Sequence, residues 1–178
     1  MGRDGGSADG GALSVRVATI QTPLGSMTVG ATEDAVCLLE FSDRRMLPTQ
    51  MKRLNQQLGC VFVDGRSRAT NRMEDELEAY FAGALREFRT PLLTPGSPFQ
   101  RRAWEALREI PHGETRSYAD QASALGMPSA VRAVARANGD NRIAIVIPCH
   151  RLVGSDGALT GYGGGLARKR WLLDHERR

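Results

Sequence analysis

The chain changes its hydrophobic period across one short segment, and that change limits its fold more than any other feature. Residues 90–98 read Thr-Pro-Leu-Leu-Thr-Pro-Gly-Ser-Pro, with three prolines and a glycine, a composition that suits a linker and no helix or strand interior. Before it, from Leu13 to Phe41, short apolar segments alternate with turns: Ser14 to Ile20, a turn at Pro23-Leu24-Gly25, Met27 to Gly30, then Val36 to Phe41. That is the pattern of a β-meander or hairpin set. Residues 70–85 switch to helical spacing, with Met73, Leu77, Tyr80, Phe81 and Leu85 on one face and Glu74, Asp75, Glu76 and Glu78 around them. The expected organisation is a disordered tail over residues 1–11, an α/β domain over 12–90 and a mainly helical domain over 91–178, an α/β (α+β) chain as a whole.

Beyond the linker, Phe99, Ala103, Leu107 and Ile110 share a helical face opposite Arg101, Arg102, Glu105 and Arg108, and Pro111 ends that helix. Ser117-Tyr-Ala-Asp120 has the form of a capping box opening a helix to Leu125. Gly126-Met127-Pro128 stops it, and a second helix runs from about Ser129 to Asn138. Two short helices joined by a three-residue turn containing glycine have the spacing of a helix-turn-helix. On the second helix Val131, Val134, Ala135 and Asn138 are expected inward, leaving Ser129, Arg132, Ala133 and Arg136 outward. Such a small, basic face lets a backbone approach a nucleic-acid groove and arginines reach phosphates or the base stack.

The charge distribution agrees. Residues 1–96 carry a net −1 and residues 97–178 a net +5, and arginine supplies 22 of the 24 positive charges, as in a one-sided polyanion binder. No segment is apolar for the length of a membrane span and no signal peptide opens the chain, so a cytoplasmic protein is expected, nucleoid-associated if prokaryotic. Three cysteines without export signals argue against a disulfide framework. Cys37 and Cys60 read as small core residues in strands. The cysteines and histidines lack C-x-x-C or H-x₃-H spacing, so neither metal nor cofactor is expected, and His112 and His175 are expected at the surface.

Cys149 is different. The apolar run Ile143-Ala-Ile-Val-Ile147 is short enough for a buried strand, and it ends in Pro148-Cys149-His150-Arg151. Proline stops a ladder and fixes the backbone, so the thiol is presented at a rigid corner. A thiol attacks only as thiolate, and near pH 7 it needs a base or a positive environment. Adjacent side chains of an extended chain point opposite ways, so either the chain turns at His150 or a water relays the proton.

Residues 91–176 resemble the catalytic domain of the O6-methylguanine-DNA methyltransferases, also called methylated-DNA–protein-cysteine methyltransferases. The resemblance rests on Phe99-Gln100 with Trp104, Ile110-Pro-His-Gly-Glu-Thr115, Ser117-Tyr118, Arg132-Ala-Val134, Asn141, Ile147-Pro-Cys-His-Arg151, Gly161-Tyr-Gly-Gly-Gly165, and Lys169 with Leu172-Leu173 and Glu176. It continues upstream through Thr22-Pro-Leu-Gly25 and Tyr80-Phe-Ala-Gly83 with Phe88. The resemblance implies a ribonuclease-H-like N-terminal domain and a winged helix-turn-helix carrying the active site.

The implied activity is single-use direct-reversal repair. Cys149 takes the alkyl group from O6-alkylguanine, with O4-alkylthymine as a secondary substrate, and keeps it as a thioether. His150 handles the thiol proton through a water, Glu176 orients His150, and Asn141 ties the helix-turn-helix to the active-site loop. The damaged nucleotide must leave the stack; Tyr118 crowds the 3′ phosphate and later donates to the base, while Arg132 fills the gap from the minor groove. Ser129, Ala133, Arg136 and Arg151 join them on the DNA side. Tyr162, the backbone of Gly163, and Leu152 line the base pocket. Leu152 replaces the family's usual valine, and Arg142 a common proline. The expected partner is duplex DNA containing O6-alkylguanine, met by a monomer, with cooperative assembly on DNA left open. Two other classes use related features: an alkyltransferase-like damage-binding protein, which lacks the acceptor cysteine, and a Cys-His-acid hydrolase, which turns over.

Overall fold

The computed structural model describes residues 11–178; the tail expected over 1–11 lies outside them except for Gly11. Strands β1 (Leu13–Thr22), β2 (Gly25–Ala31) and β3 (Val36–Phe41) form the expected antiparallel meander. Gly25 turns the chain between the first two at φ 110°, a backbone region that side chains with a Cβ rarely enter. β4 (Cys60–Asp64) pairs in parallel with β1, giving the order β3-β2-β1-β4.

A parallel neighbour needs a crossover, and α1 (Leu47–Leu58) supplies part of it, burying Leu47, Gln50 and Leu54. Its contacts with Val15, Cys37, Leu38 and Cys60 make a small core on one side of the sheet. α2 (Arg68–Phe81) begins at a reciprocal cap between Ser67 and Thr70 and buries Met73, Leu77 and Tyr80. These meet Ile20, Met27, Val29 and Phe41 in the main core.

Every residue of β3 is buried although the strand ends the sheet. Two later segments cover its edge. The Val36 amide donates to the Pro91 carbonyl at 2.9 Å and the Leu93 amide to Val36 at 2.8 Å. Further along, the Leu39 amide donates to Arg142 at 2.8 Å and the Ala144 amide to Leu39 at 2.7 Å. The linker and the segment before Cys149 are thus hung on the N-terminal sheet, which satisfies an edge that would otherwise present unpaired groups.

In the C-terminal half α3 (Pro98–Arg108) starts at a capping box of Ser97 and Gln100, and α4 (Tyr118–Ala124) at the expected box of Ser117 and Asp120. α5 (Val131–Gly139) begins two residues after Ser129, and Val134, Ala137 and Asn138 face inward. Ala135, expected inward, is exposed, because the helix turns its Ala137 edge to α3: the Trp104 indole donates to the Ala137 carbonyl at 2.9 Å. Gln121 and Asn138 exchange side-chain hydrogen bonds of 2.6 and 3.3 Å, and Gln121 also donates to the Ala103 carbonyl at 3.0 Å. This buried amide pair fixes the angle between α4 and α5. The short parallel strands β5 (Arg116–Ser117) and β6 (Leu152–Val153) and the last helix, α6 (Leu166–Glu176), complete the chain.

The run Ile143–Ile147 is not the expected strand. It is a buried turn, with the Val146 amide on Ala144 at 2.8 Å, the Ile147 amide on Ile143 at 3.0 Å, and Ile145 at φ 71°. A continuous apolar run is read equally by any fully buried backbone, so its periodicity did not distinguish the two. A β-branched residue at positive φ is a strained one, held by its surroundings.

Candidate active site

The buried turn delivers the chain to Pro148 and a single 3-10 turn, Cys149–Arg151. Because the backbone turns, the three side chains do not alternate as in a strand. Cys149 is half-buried, while His150 and Arg151 are buried.

Asn141 braces the whole segment. Its Oδ1 accepts from the Ile143 amide at 2.9 Å, and its Nδ2 donates to the Ile147 carbonyl at 2.8 Å and toward Cys149 Sγ at 3.4 Å. One side chain therefore ties the end of α5 to both ends of the apolar turn and to the thiol. Burial pushes the thiol pKa up, and the Asn141 contact works against that shift.

His150 Nε2 lies 2.7 Å from Glu176 Oε1. The same carboxylate accepts from Arg151 Nε at 2.8 Å, from Arg151 Nη2 at 3.0 Å, from the Tyr80 hydroxyl at 2.8 Å and from the Gly113 amide at 3.3 Å. Burial opposes the charge on Glu176, but hydrogen bonds from His150 and Arg151 outweigh it and hold the carboxyl well below the usual range. Burial lowers His150 in turn, against the pull of Glu176, so the ring is neutral. An ionised carboxylate only accepts, hence the ring proton sits on Nε2. Nδ1 is left as a lone-pair acceptor with no hydrogen-bond partner among the described residues.

Cys149 opens on a cavity of about 270 Å³ whose lining includes Tyr118, Asn138, Asn141, Tyr162 and Gly163. The Tyr118 hydroxyl donates to the carbonyls of Thr160 and Gly161 at 3.1 and 3.3 Å. Lys169 is wholly buried and donates to the same Thr160 carbonyl at 2.8 Å, so one ammonium anchors the glycine-rich wall. Among the described residues no three His, Cys, Asp or Glu side chains cluster as a metal-holding set.

Residues 98–178 match the family model of the DNA-binding domain of 6-O-methylguanine DNA methyltransferase, and residues 15–94 match that of its ribonuclease-like domain. The chain belongs to the O6-methylguanine-DNA methyltransferase family. A methylated-DNA–protein-cysteine methyltransferase of Mycolicibacterium paratuberculosis is 45% identical over 160 residues, which are 90% of this chain and 91% of that one. Its counterpart from Salmonella typhimurium is 46% identical over 164 residues, 88% of this chain and 92% of that one. The crystal structure of Mycobacterium tuberculosis O6-methylguanine methyltransferase is similar with a TM-score of 0.78 at 42% identity, covering 92% of this chain and 93% of that one. The same bacterium's protein solved in complex with DNA gives 0.77 at 41% identity, covering 92% of each chain.

In this member of the family Ser129, Arg132, Ala133 and Arg136 are all exposed, along α5 and the turn before it. Two residues expected at the ligand lie elsewhere. Arg151, expected on the DNA side, is buried, with its guanidinium committed to Glu176 and to the Ile110 carbonyl at 2.6 Å. Leu152, expected in the base pocket, is fully buried in the main core and does not line the cavity. In both cases the turn at Cys149 directs the following side chains inward.

Arg142, at the position of a common proline, is buried too; it donates to the Pro95 carbonyl at 3.1 Å and lies over Trp104 at 5.9 Å. His112 and His175 are not the surface residues expected. Both are part-buried around Tyr80, and the His175 ring stacks on Trp171 at 4.9 Å with Nε2 2.7 Å from the Tyr80 carbonyl.

Sequence reasoning missed Glu40, Arg44 and Gln50, which reach the cavity or its hinge from the N-terminal half. Their one trace in the sequence is Glu40, a charge inside the otherwise apolar run Val36–Phe41.

Proposed function

We propose that this family member repairs DNA by direct reversal, taking the alkyl group from O6 of guanine in duplex DNA onto Cys149 and keeping it. The observation that carries the reading is the buried bond between His150 Nε2 and Glu176 Oε1, 2.7 Å long, made by the residue that follows a cysteine opening on a cavity. It leaves Nδ1 as the one free base of the ring.

A water between Nδ1 and Sγ carries the thiol proton to His150. The thiolate then attacks the alkyl carbon: the S–C bond forms, the C–O6 bond breaks, and the bonding pair leaves on guanine. Tyr118, whose burial keeps its hydroxyl protonated, gives a proton to the departing base, and the imidazolium returns the thiol proton to it through solvent. Attack at an sp³ carbon needs no oxyanion hole. The thioether product does not hydrolyse readily, so each chain acts once.

The guanine reaches the cavity only out of the stack. In this reading Arg132 fills the vacated gap, Ser129, Ala133 and Arg136 lie against the backbone, Tyr162 packs on the base, and the Gly163 amide donates to O6. Residues 12–90 act as the support unit and 91–178 as the DNA-binding and transfer unit, working as a monomer on cytoplasmic DNA.

Counting guanines restored per chain tests the proposal against a hydrolase. With excess alkylated duplex, restoration stops at one equivalent. Continued release would assign the same Cys-His-Glu arrangement to hydrolysis.

A further inference from the structure

β3 ends in a buried charge. Glu40 is 1% exposed, and its carboxylate pairs with Arg44 four residues on, accepts from the Phe41 amide at 3.0 Å and receives Gln50 Nε2 at 3.4 Å. Held this way, Arg44 reaches across the molecule. Its Nη2 donates to the Gly139 carbonyl at 3.0 Å and its Nη1 lies 3.4 Å from the Asn141 carbonyl, which also accepts from Gln50 at 3.2 Å.

These carbonyls belong to the last turn of α5 and to the residue that braces the Cys149 turn. Glu40 and Arg44 both line the cavity that holds Cys149 and Tyr162. A Cβ built on Gly163 would fall on the Arg44 guanidinium, so the arginine packs directly against the glycine-rich wall. A side chain at 163 would have to displace the Arg44 guanidinium.

We infer that Arg44, anchored by Glu40, closes the base cavity against Gly163 and thereby limits the size of the alkyl group that Cys149 accepts. The inference rests on the transfer reading above. A guanidinium pinned by a buried carboxylate and two backbone carbonyls cannot swing aside as a free surface arginine does. A methyl group needs no room at that wall; a benzyl group does. Pocket discrimination of this kind amounts to about tenfold or more per group admitted or refused.

The test is the rate of alkyl transfer to the full chain from free O6-benzylguanine and free O6-methylguanine, read by intact mass. Free bases remove DNA binding from the comparison. Arg44→Ala raises the benzyl-to-methyl rate ratio about tenfold, whereas Arg44→Lys, which keeps bulk and charge, stays near the starting ratio. A purely structural role for Arg44 slows both bases alike and leaves the ratio where it was, and that result overturns the inference. If Arg44→Ala does not fold, as judged by circular dichroism, Glu40→Gln releases the anchor and is read in the same way. If the original chain is too slow on free bases, the ratio is read from duplexes carrying the two lesions; failure of the original chain to gain an alkyl group from excess duplex containing O6-methylguanine refutes the transfer reading itself and is thus distinguishable.

Discussion

The hydroxyl of Tyr80, on α2 of the N-terminal half, donates to Oε1 of Glu176 at 2.8 Å, the same oxygen that faces His150 Nε2 at 2.7 Å. A glutamate close to the last residue of the sequence is held in place by a helix 96 residues away. Tyr80→Phe keeps the ring and removes the donor, so it is expected to cost about 1.5–3 kcal/mol, the range for a hydrogen bond to a charged group. Urea unfolding measures it; an unchanged midpoint would mean that the carboxylate finds another donor.

Arg151 makes two bonds to Glu176 from a buried position. Arg151→Met leaves that carboxylate short of a cation in the interior and should destabilise the fold by about 3–5 kcal/mol. If Arg151 touched phosphate, the variant would also lower the salt dependence of DNA binding by about one unit of slope. The burial of Arg151 predicts no change in slope there, and the proposed binding mode predicts that loss for Arg136, which is exposed on α5.

The histidine sets a pH dependence of stability. Burial holds His150 below the ordinary histidine value, so on acidification the unfolded chain takes up this proton first. The stability it confers is complete above about pH 6.5, the unfolded value, and declines as pH falls from there toward the folded pKa. Glu176, held well below the carboxylate range, adds a second decline that begins below about pH 4.3. Urea midpoints from about pH 8 to about pH 5 should fall for the original chain and fall less steeply in His150→Gln, the remaining decline coming from His112, which burial also holds below the ordinary histidine value. Equal slopes in the two would remove His150 from the explanation.

The elements legible in the sequence were those specified locally. The meander from Leu13 to Phe41, the amphipathic stretch around Met73 and Leu77, and the box at Ser117 and Asp120 each carry their own period or cap. α1 was overlooked although Leu47, Met51, Leu54 and Leu58 carry the same helical spacing as the apolar residues of α2. Arg151 and Leu152 were misassigned for one reason: the 3-10 turn at Cys149 reverses the direction that an extended Pro-Cys-His-Arg would give its side chains. Glu40 with Arg44, and Gln121 with Asn138, are polar contacts inside the fold, and a single sequence contains no sign of which buried polar groups meet.

Arg132 is exposed on α5 and makes no hydrogen bond or ion pair among the described residues that would hold it back. The flipping role predicts that Arg132→Ala slows repair of alkylated duplex by about tenfold or more, a loss of about 1.4 kcal/mol or more, and leaves transfer from free O6-alkylguanine unchanged. Equal losses on duplex and free base would assign Arg132 to the fold.

The most direct test of transfer to Cys149 is the intact mass of the protein after incubation with excess duplex containing O6-methylguanine, beside Cys149→Ser. The account predicts a gain of one methyl group per chain, complete at one equivalent and absent from the variant. No gain, with binding to the damaged duplex retained, or an equal gain in Cys149→Ser, would contradict it.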